Sequence, residues 1–325
     1  MDKKLIEEHV KERKKRGFTN ERFNTFYDGK VLQICFYSKG CRFSKNGNCI
    51  MCDYGKSRKE NLKPYEIREI IQEVFNNLDE QPKVLLLNSL GSVLDELEMP
   101  NENILVLLDE IAKLNIDVIV FESHYSSINK NILQLIKQKL PNKQIEIELG
   151  FESCNPEYRK NYLNKIIDND NFKEKINLIK SFNFSVEVNV IFGMPFLSTE
   201  EQIKDTVQSI IWCFQNNVDQ VSLFPMNIKP YTVLYKLYET GKYSPVMHKD
   251  FIEVLKKIPA KYISKIYLCW YGNRELNYGV KKSILPICNK NDIDKIMNFY
   301  EDFNLHIDKE YRIKLLKNFK LEEDY

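Results

Sequence analysis

Apolar residues along the chain fall into six short runs, and each run is followed by a longer segment in which apolar residues recur with helical spacing. A short apolar run is typical of a buried strand, whereas apolar residues at i, i+3 and i+4 indicate the inward face of a helix. Six such alternations predict parallel βαβ units and therefore an α/β fold. The runs are Val31–Phe36, Lys83–Asn88, Val118–Glu122, Ile145–Gly150, Ser185–Phe192 and Gln220–Phe224.

The pattern differs at the two ends of the chain, which suggests three regions. Residues 1–25 are predicted to be an N-terminal helical segment, whose helix over Leu5–Arg16 carries a basic face that we interpret as solvated. Residues 26–245 hold the six strand–helix units, including a helical region from Pro156 to Phe182. Residues 246–325 read as helices and irregular segments, and we expect them to form an extension that closes the open side of the core.

Composition is that of an ordinary globular protein. The 325 residues include 48 basic and 46 acidic side chains, a net charge of +2, so no strong basic excess marks a dedicated nucleic-acid binder. No run approaches the roughly 20 apolar residues that span a membrane, and the N-terminus lacks the apolar stretch of a signal peptide. Half of the eight cysteines cluster in one loop, which favours a reducing, cytoplasmic setting over a disulfide scaffold.

The cysteine-rich loop follows the first strand and is the clearest candidate for chemistry. Cys41, Cys49 and Cys52 follow one another at spacings of eight and three residues, so their thiolates can reach one metal centre. A group of three leaves one iron of an iron–sulfur cluster open, whereas a structural zinc site is closed by four protein ligands. The zinc alternative would use Cys35 as the fourth ligand, but we expect this residue of the strand to point away from the loop.

The loop and several later phrases resemble those of one enzyme family. A strand followed by GC-x7-C-x2-C-x-Y is similar to the cluster loop of radical SAM enzymes, and the wide spacing is similar to the elongator-subunit branch and the radical SAM subunit of archaeosine synthase. GFES at 150–153, VNVIFGMPF at 188–196 and the stretch 223–245 agree in order. The resemblance implies a partial (β/α)6 TIM-type barrel with its chemistry at the carboxyl ends of the strands.

The resemblance also implies cofactors and a reaction. Cys41, Cys49 and Cys52 would hold a [4Fe–4S] cluster that binds S-adenosyl-L-methionine (SAM) and reductively cleaves it to a 5′-deoxyadenosyl radical. An electron donor such as flavodoxin or ferredoxin and a substrate, either a modified 7-deazaguanine in tRNA or a small amino-acid-derived metabolite, would be its partners. The alternatives are a SAM enzyme that forms an aminocarboxypropyl radical and a non-catalytic zinc-binding barrel with RNA affinity.

Eight further residues are candidates for SAM binding by resemblance. Their order along the chain places them at or just beyond strand ends, the edge where such barrels bind ligands. Glu122 ends an apolar strand, where a carboxylate needs a partner or a polar cavity, although it equally fits a plain charge at a strand terminus. Taken by itself, the segment around Gly91 fits an ordinary strand-to-helix turn better than a binding site, and no catalytic residue is assigned. The candidates are Tyr54, Gly91, Ser92, Glu122, Glu152, Lys165, Asn189 and Met226.

Overall fold

The computed structural model describes residues 4, 7, 10, 11, 18–27, 29–54, 58–269, 284, 286 and 292–321. The predicted N-terminal helix therefore lies mostly outside the described residues, as do Trp270, Tyr271 and Cys288. In the part of the chain that is described, no helix is long and apolar enough to cross a membrane.

One eight-stranded sheet organises the molecule, and its strands lie in chain order. The first two strands pair antiparallel as a hairpin, and every later neighbour pairs parallel. This curled, mostly parallel sheet confirms the predicted α/β partial barrel. The strands are β1 Phe23–Tyr27, β2 Val31–Phe36, β3 Val84–Asn88, β4 Val118–Ser123, β5 Gln144–Glu152, β6 Ser185–Phe192, β7 Gln220–Pro225 and β8 Ile266–Leu268.

Helices connect the parallel strands and bury one face against the sheet. In α1, for example, Ile67, Ile70, Ile71 and Val74 are buried at helical spacing, and Pro64 occupies the first turn, where its missing N–H costs nothing. The helices are α1 Pro64–Asn76, α2 Asn101–Ala112, α3 Lys130–Lys139, α4 Asn169–Ser181, α5 Thr199–Gln215, α6 Val233–Glu239, α7 His248–Lys257, α8 Ile293–Leu305 and α9 Lys309–Asn318. The capping box of α5 pairs Ser198 with Glu201.

Alternation along the strands separates an apolar layer from a polar interior. On β2, Leu32, Ile34 and Phe36 belong to the core shared with the helices, so Gln33 and Cys35 face the inside of the barrel. The same alternation runs through β3 to β7. The helix-facing layer is therefore the hydrophobic core, and the inward faces are available for a site.

The sheet has two strands beyond the six predicted. β1 and β8 were missed because FNTFY mixes polar with apolar residues and IYL is only three residues long. β8 lies within the segment from 246 onward, which thus supplies an edge of the sheet as well as helices.

The helical region predicted from Pro156 to Phe182 is present but interrupted. The chain forms short helical turns over Pro156–Leu163, breaks, and resumes as α4. The break falls at Asn164, whose φ of 51° is left-handed and ends the preceding turn.

Candidate functional site

A cavity of about 430 Å³ opens at the carboxyl ends of the parallel strands. Its lining includes every metal and cofactor candidate that the sequence singled out, although these residues are spread over nearly two hundred positions. The structure shows that these side chains lie together, whereas their roles remain predictions. The lining candidates are Cys41, Cys49, Cys52, Tyr54, Gly91, Ser92, Glu122, Glu152, Lys165, Asn189 and Met226.

The cysteine loop is held in place by backbone hydrogen bonds to other loops. The Cys41 N–H donates to the Leu90 carbonyl at 3.2 Å, and the Cys49 N–H donates to the Asn164 carbonyl at 3.4 Å. Cys49 itself has a φ of 56°, and the Cys52 N–H donates to its carbonyl at 2.8 Å, so a tight turn joins these two cysteines. The break before α4 therefore serves as an anchor for the loop.

The three thiols of the loop all line the cavity. In the described ranges, no three His, Cys, Asp or Glu side chains are arranged to hold one metal ion. A four-iron cluster does not need such convergence, because each cysteine binds a different iron. Burial, reinforced by Glu98 and the neighbouring Cys52 and Cys49, raises the pKa of Cys41 to about 12. A thiolate at this position therefore needs a positive partner such as cluster iron.

Cys35 does not point away from the loop as expected. It lines the same cavity as the other three cysteines, because the buried positions of β2 are the even-numbered ones and Cys35 lies on the opposite face. Burial raises its pKa to about 12, and the nearby Glu122 and Asp53 act in the same direction. The thiol is thus a neutral wall of the cavity.

The segment after β3 is tied to the cysteine loop by Glu98, which the sequence did not single out. The Glu98 side chain is 1% exposed and accepts two backbone N–H groups, from Arg42 and from Ser92, each at 2.7 Å. A Cβ on Gly91 would collide with the Glu98 carboxylate, so this close approach requires glycine. No local pattern identifies Glu98, because its two partners lie 56 and 6 residues away.

Glu122 faces the cavity and is held by two donors. The Asn88 side-chain Nδ2 donates to it at 2.9 Å and the Tyr54 hydroxyl donates at 3.4 Å. Burial raises the pKa of Glu122, while both hydrogen bonds oppose the rise. Glu122 in turn raises the pKa of Tyr54 well above its ordinary value, so the phenol stays protonated as a donor. The carboxylate is therefore positioned, not merely a charge at a strand end.

Glu152 and Lys165 form a buried ion pair at the edge of the cavity. Lys165 Nζ lies 2.6 Å from Glu152 Oε1, and the two side chains are 9% and 10% exposed. Burial lowers the pKa of Lys165, but Glu152, Cys49 and Cys52 outweigh that effect and raise it on balance. Glu152 sits at a bulge of β5 with a φ of 73°, and a Cβ on Gly150 would crowd both charged groups. Lys165 directly follows the break at Asn164.

The side-chain amide oxygens of Asn88 and Asn189 are buried in the cavity wall. Within the part of the chain that the structure describes, neither Asn88 Oδ1 nor Asn189 Oδ1 accepts a hydrogen bond. Their residues are 2% and 9% exposed and both line the cavity. Because a buried unsatisfied acceptor costs about 1–3 kcal/mol, such atoms indicate a place for a ligand donor.

His124 also lines the cavity. Its ring stacks on Phe43 with centroids 3.9 Å apart, and its Nδ1 lies 2.8 Å from the Ser126 hydroxyl. Burial, with Lys165 and Arg42 nearby, lowers its pKa to about 3. The imidazole is therefore neutral near pH 7 and contributes an aromatic wall beside the cysteine loop.

Comparison with known proteins gives relatives of similar length and fold. No protein-family model matches the chain. A protein of Methanocaldococcus jannaschii is 26% identical over 82% of this chain and 77% of its own length. Archaeosine synthase subunit beta of Methanosarcina acetivorans is 25% identical over 71% of this chain and 67% of its own.

Among solved structures, methylornithine synthase (PylB) has the same fold. It superposes with a TM-score of 0.50 and 18% identity over 79% of this chain and 69% of that one. An Elp3 of Methanocaldococcus infernus superposes with a TM-score of 0.47 and 17% identity over 63% of this chain, which spans 52% of the Elp3 chain.

Proposed function

We propose that this chain is a radical SAM enzyme. The resemblance of its cysteine loop to that superfamily and its similarity to two proteins named archaeosine synthase subunit beta support the proposal. The enzyme would reductively cleave SAM at a [4Fe–4S] cluster and abstract hydrogen from a substrate. The observation that carries the proposal is the meeting of all eleven predicted residues in one cavity at the carboxyl edge of a partial barrel.

Each part of the cavity has a task in this proposal. Cys41, Cys49 and Cys52 would hold the cluster, and Glu98 fixes the loop that carries the first of them. When bound, the cluster would supply the electron that splits SAM into methionine and a 5′-deoxyadenosyl radical. The 430 Å³ cavity falls in the size range of small-molecule sites, so it could hold a cofactor of this kind.

The remaining wall residues would bind SAM through groups suited to its parts. The backbone beside Gly91 and Ser92 would form hydrogen bonds with the methionine end of SAM, and Lys165 would attract the methionine carboxylate. Glu122 and Glu152 would accept hydrogen bonds from the ammonium and the ribose. Five side chains have supporting roles or complete the pocket: Tyr54 near the adenine, Asn189 near the ribose, and Met226, Met51 and His124 as apolar or aromatic walls.

The partners remain part of the proposal. Because two relatives are named archaeosine synthase subunit beta, we propose that the chain works with a second subunit, and that its substrate is a modified tRNA base or a small metabolite. A flavodoxin or ferredoxin would supply the electron. Gel filtration would test for association with a second subunit. Binding of tRNA measured over a series of salt concentrations would separate a nucleic-acid substrate from a small molecule, because phosphate contacts weaken steeply with salt.

The test is anaerobic reconstitution followed by reduction. We expect an EPR spectrum that shifts on addition of SAM, together with release of 5′-deoxyadenosine. Replacing Cys41, Cys49 and Cys52 together by Ala should remove both signals, because no cluster would remain. Cys154→Ala is the matched control, since Cys154 does not line the cavity.

Two other outcomes of this experiment would favour the alternative functions. Methylthioadenosine in place of 5′-deoxyadenosine would indicate an aminocarboxypropyl radical. Stoichiometric zinc with no iron after reconstitution would refute the enzyme and favour a structural barrel.

A further inference from the structure

The cavity extends beyond the residues proposed to bind SAM. Its lining also includes Asn24 and Phe26 of β1, Asp53 after the cysteine loop, and Phe224 and Lys229 at and beyond the end of β7. None of these five residues has a task in the proposed SAM site. This part of the cavity is therefore available for a second ligand.

An ion pair joins the two sides of this part of the cavity. Lys229 Nζ lies 3.4 Å from Asp53 Oδ1, which is longer than the roughly 2.8 Å of a close charge-assisted hydrogen bond. The two side chains are 28% and 12% exposed, and both residues line the cavity. The pair is thus looser than the buried pair of Lys165 and Glu152, and its charged groups can be reached from the cavity.

The backbone holds both charged residues in place. Ile228 and Ile284 exchange backbone hydrogen bonds of 3.1 and 2.8 Å, and the Thr232 hydroxyl donates to the Lys229 carbonyl at 2.6 Å. Asp53 directly follows the last cysteine of the loop. A ligand that binds the pair would therefore be held at a fixed position relative to that loop.

The pair lies between the SAM candidates and β1. Burial raises the pKa of Glu122, and the charge of Lys229 opposes that rise. Asp53 adds to the effect of burial on the pKa of Cys35, which pairs with Asn24 of β1. Because such interactions weaken with distance, a ligand bound to the pair would lie beside the proposed SAM site.

The two opposite charges decide which ligand fits. An anion would bind Lys229 and compete with Asp53 for it, whereas a cation would bind Asp53 and compete with Lys229. Either ligand would leave one charged group of the cavity wall without its partner, which is costly. A ligand that carries an ammonium and a carboxylate on one carbon atom gives each residue a new partner of opposite charge.

We infer that Asp53 and Lys229 form a subsite for an α-amino-acid group, in which Asp53 accepts from the ammonium and Lys229 donates to the carboxylate. Phe26 and Phe224 are aromatic walls for an apolar stem on that group. That the ligand is the substrate rests on the proposed function, but its binding does not.

Calorimetric titration of the cluster-reconstituted full chain with three probes tests the inference. L-norleucine carries both charges on an apolar stem, n-pentylammonium lacks the carboxylate, and hexanoate lacks the ammonium. Saturating SAM keeps norleucine out of the methionine end of the SAM site, and no reductant is added. We expect norleucine to bind about tenfold more tightly than either other probe, because each loses one charge-assisted interaction.

Variants of the pair should each lose one preference. Lys229→Gln should abolish the preference for norleucine over n-pentylammonium, and Asp53→Asn should abolish the preference over hexanoate. Lys242→Gln, at an exposed position outside the cavity lining, should change neither. A purely structural ion pair would not produce these separate losses. If Asp53→Asn loses iron because it adjoins the cysteine loop, Lys229→Gln decides alone.

Three outcomes would overturn the inference: no binding of norleucine, equal affinity for the three probes, or unchanged preferences in Lys229→Gln. Failure of the proposed function would look different. A chain that neither binds nor cleaves SAM, but whose norleucine binding still depends on Lys229, would keep the subsite and lose the enzyme.

Discussion

At the scale of single residues, the site depends on buried charged groups whose partners come from distant segments. Glu98 accepts one N–H from the cysteine loop and one from the segment after β3. Lys165 reaches Glu152 across 13 residues that include a helix break. Such pairs are strongly destabilised when one member is removed, because the other stays buried without compensation.

Glu98→Gln should therefore loosen the cysteine loop. The amide keeps one oxygen but places an NH₂ group against a backbone N–H, so we expect a loss of about 2 kcal/mol in the free energy of unfolding. Urea unfolding would measure the loss of stability, and the iron retained per chain after reconstitution would measure the loosening of the cysteine loop. Glu96→Gln is the control, because Glu96 is exposed two residues away; equal losses in the two variants would contradict the role of Glu98.

At the scale of elements, the loop after β6 brings two strands together at the cavity. Gly193 has a φ of 110°, and a Cβ there would meet Val246 Cγ1 and Met226 Cβ. The Tyr243 hydroxyl also donates to the Gly193 carbonyl at 2.7 Å. This glycine is therefore required both for its backbone conformation and for the close approach of Met226 to the cavity wall.

Gly193→Ala should reduce stability by about 3 kcal/mol, since backbone strain and overpacking add. Gly241→Ala provides a matched comparison, because its φ is 68° but no heavy atom lies within 4 Å of the added Cβ. We expect that control to lose only about 1–2 kcal/mol. Thermal unfolding of both variants would show whether close packing contributes; similar losses would mean that backbone strain alone matters.

At the scale of the whole molecule, the C-terminal helices secure the last strand of the sheet. Arg312 of α9 is 2% exposed and donates to the carbonyls of Ile263 and Ile266, each at 2.8 Å. It also donates to the His306 carbonyl at 2.6 Å and lies over the Phe303 ring. One buried guanidinium thus joins α8, α9 and β8.

Arg312→Met should cost about 3 kcal/mol, because buried carbonyl groups would lose their donor. Amide hydrogen exchange should increase first around β8, while β3 to β6 stay protected. Lys314→Met, at an exposed position of the same helix, is the control. Uniform loss of protection over the whole sheet would argue against a local role in holding β8.

The order of the six central strands, the cysteine loop and the family resemblance could all be predicted from the sequence. Periodicity and cysteine spacing are local properties, so they can be read without knowing which segments meet. The strand β8 was not predicted, because its three residues carry too little pattern. The break at Asn164 was not predicted, because contacts to the cysteine loop hold it.

The set of side chains that share one cavity could be identified only from the folded chain. The double contact of Glu98 and the meeting of Cys41 with Met226 in one cavity both depend on how segments far apart in the chain pack and pair. Register is set by packing of the helix-facing layer, because a shift of one residue would turn every side chain of a strand to the opposite face.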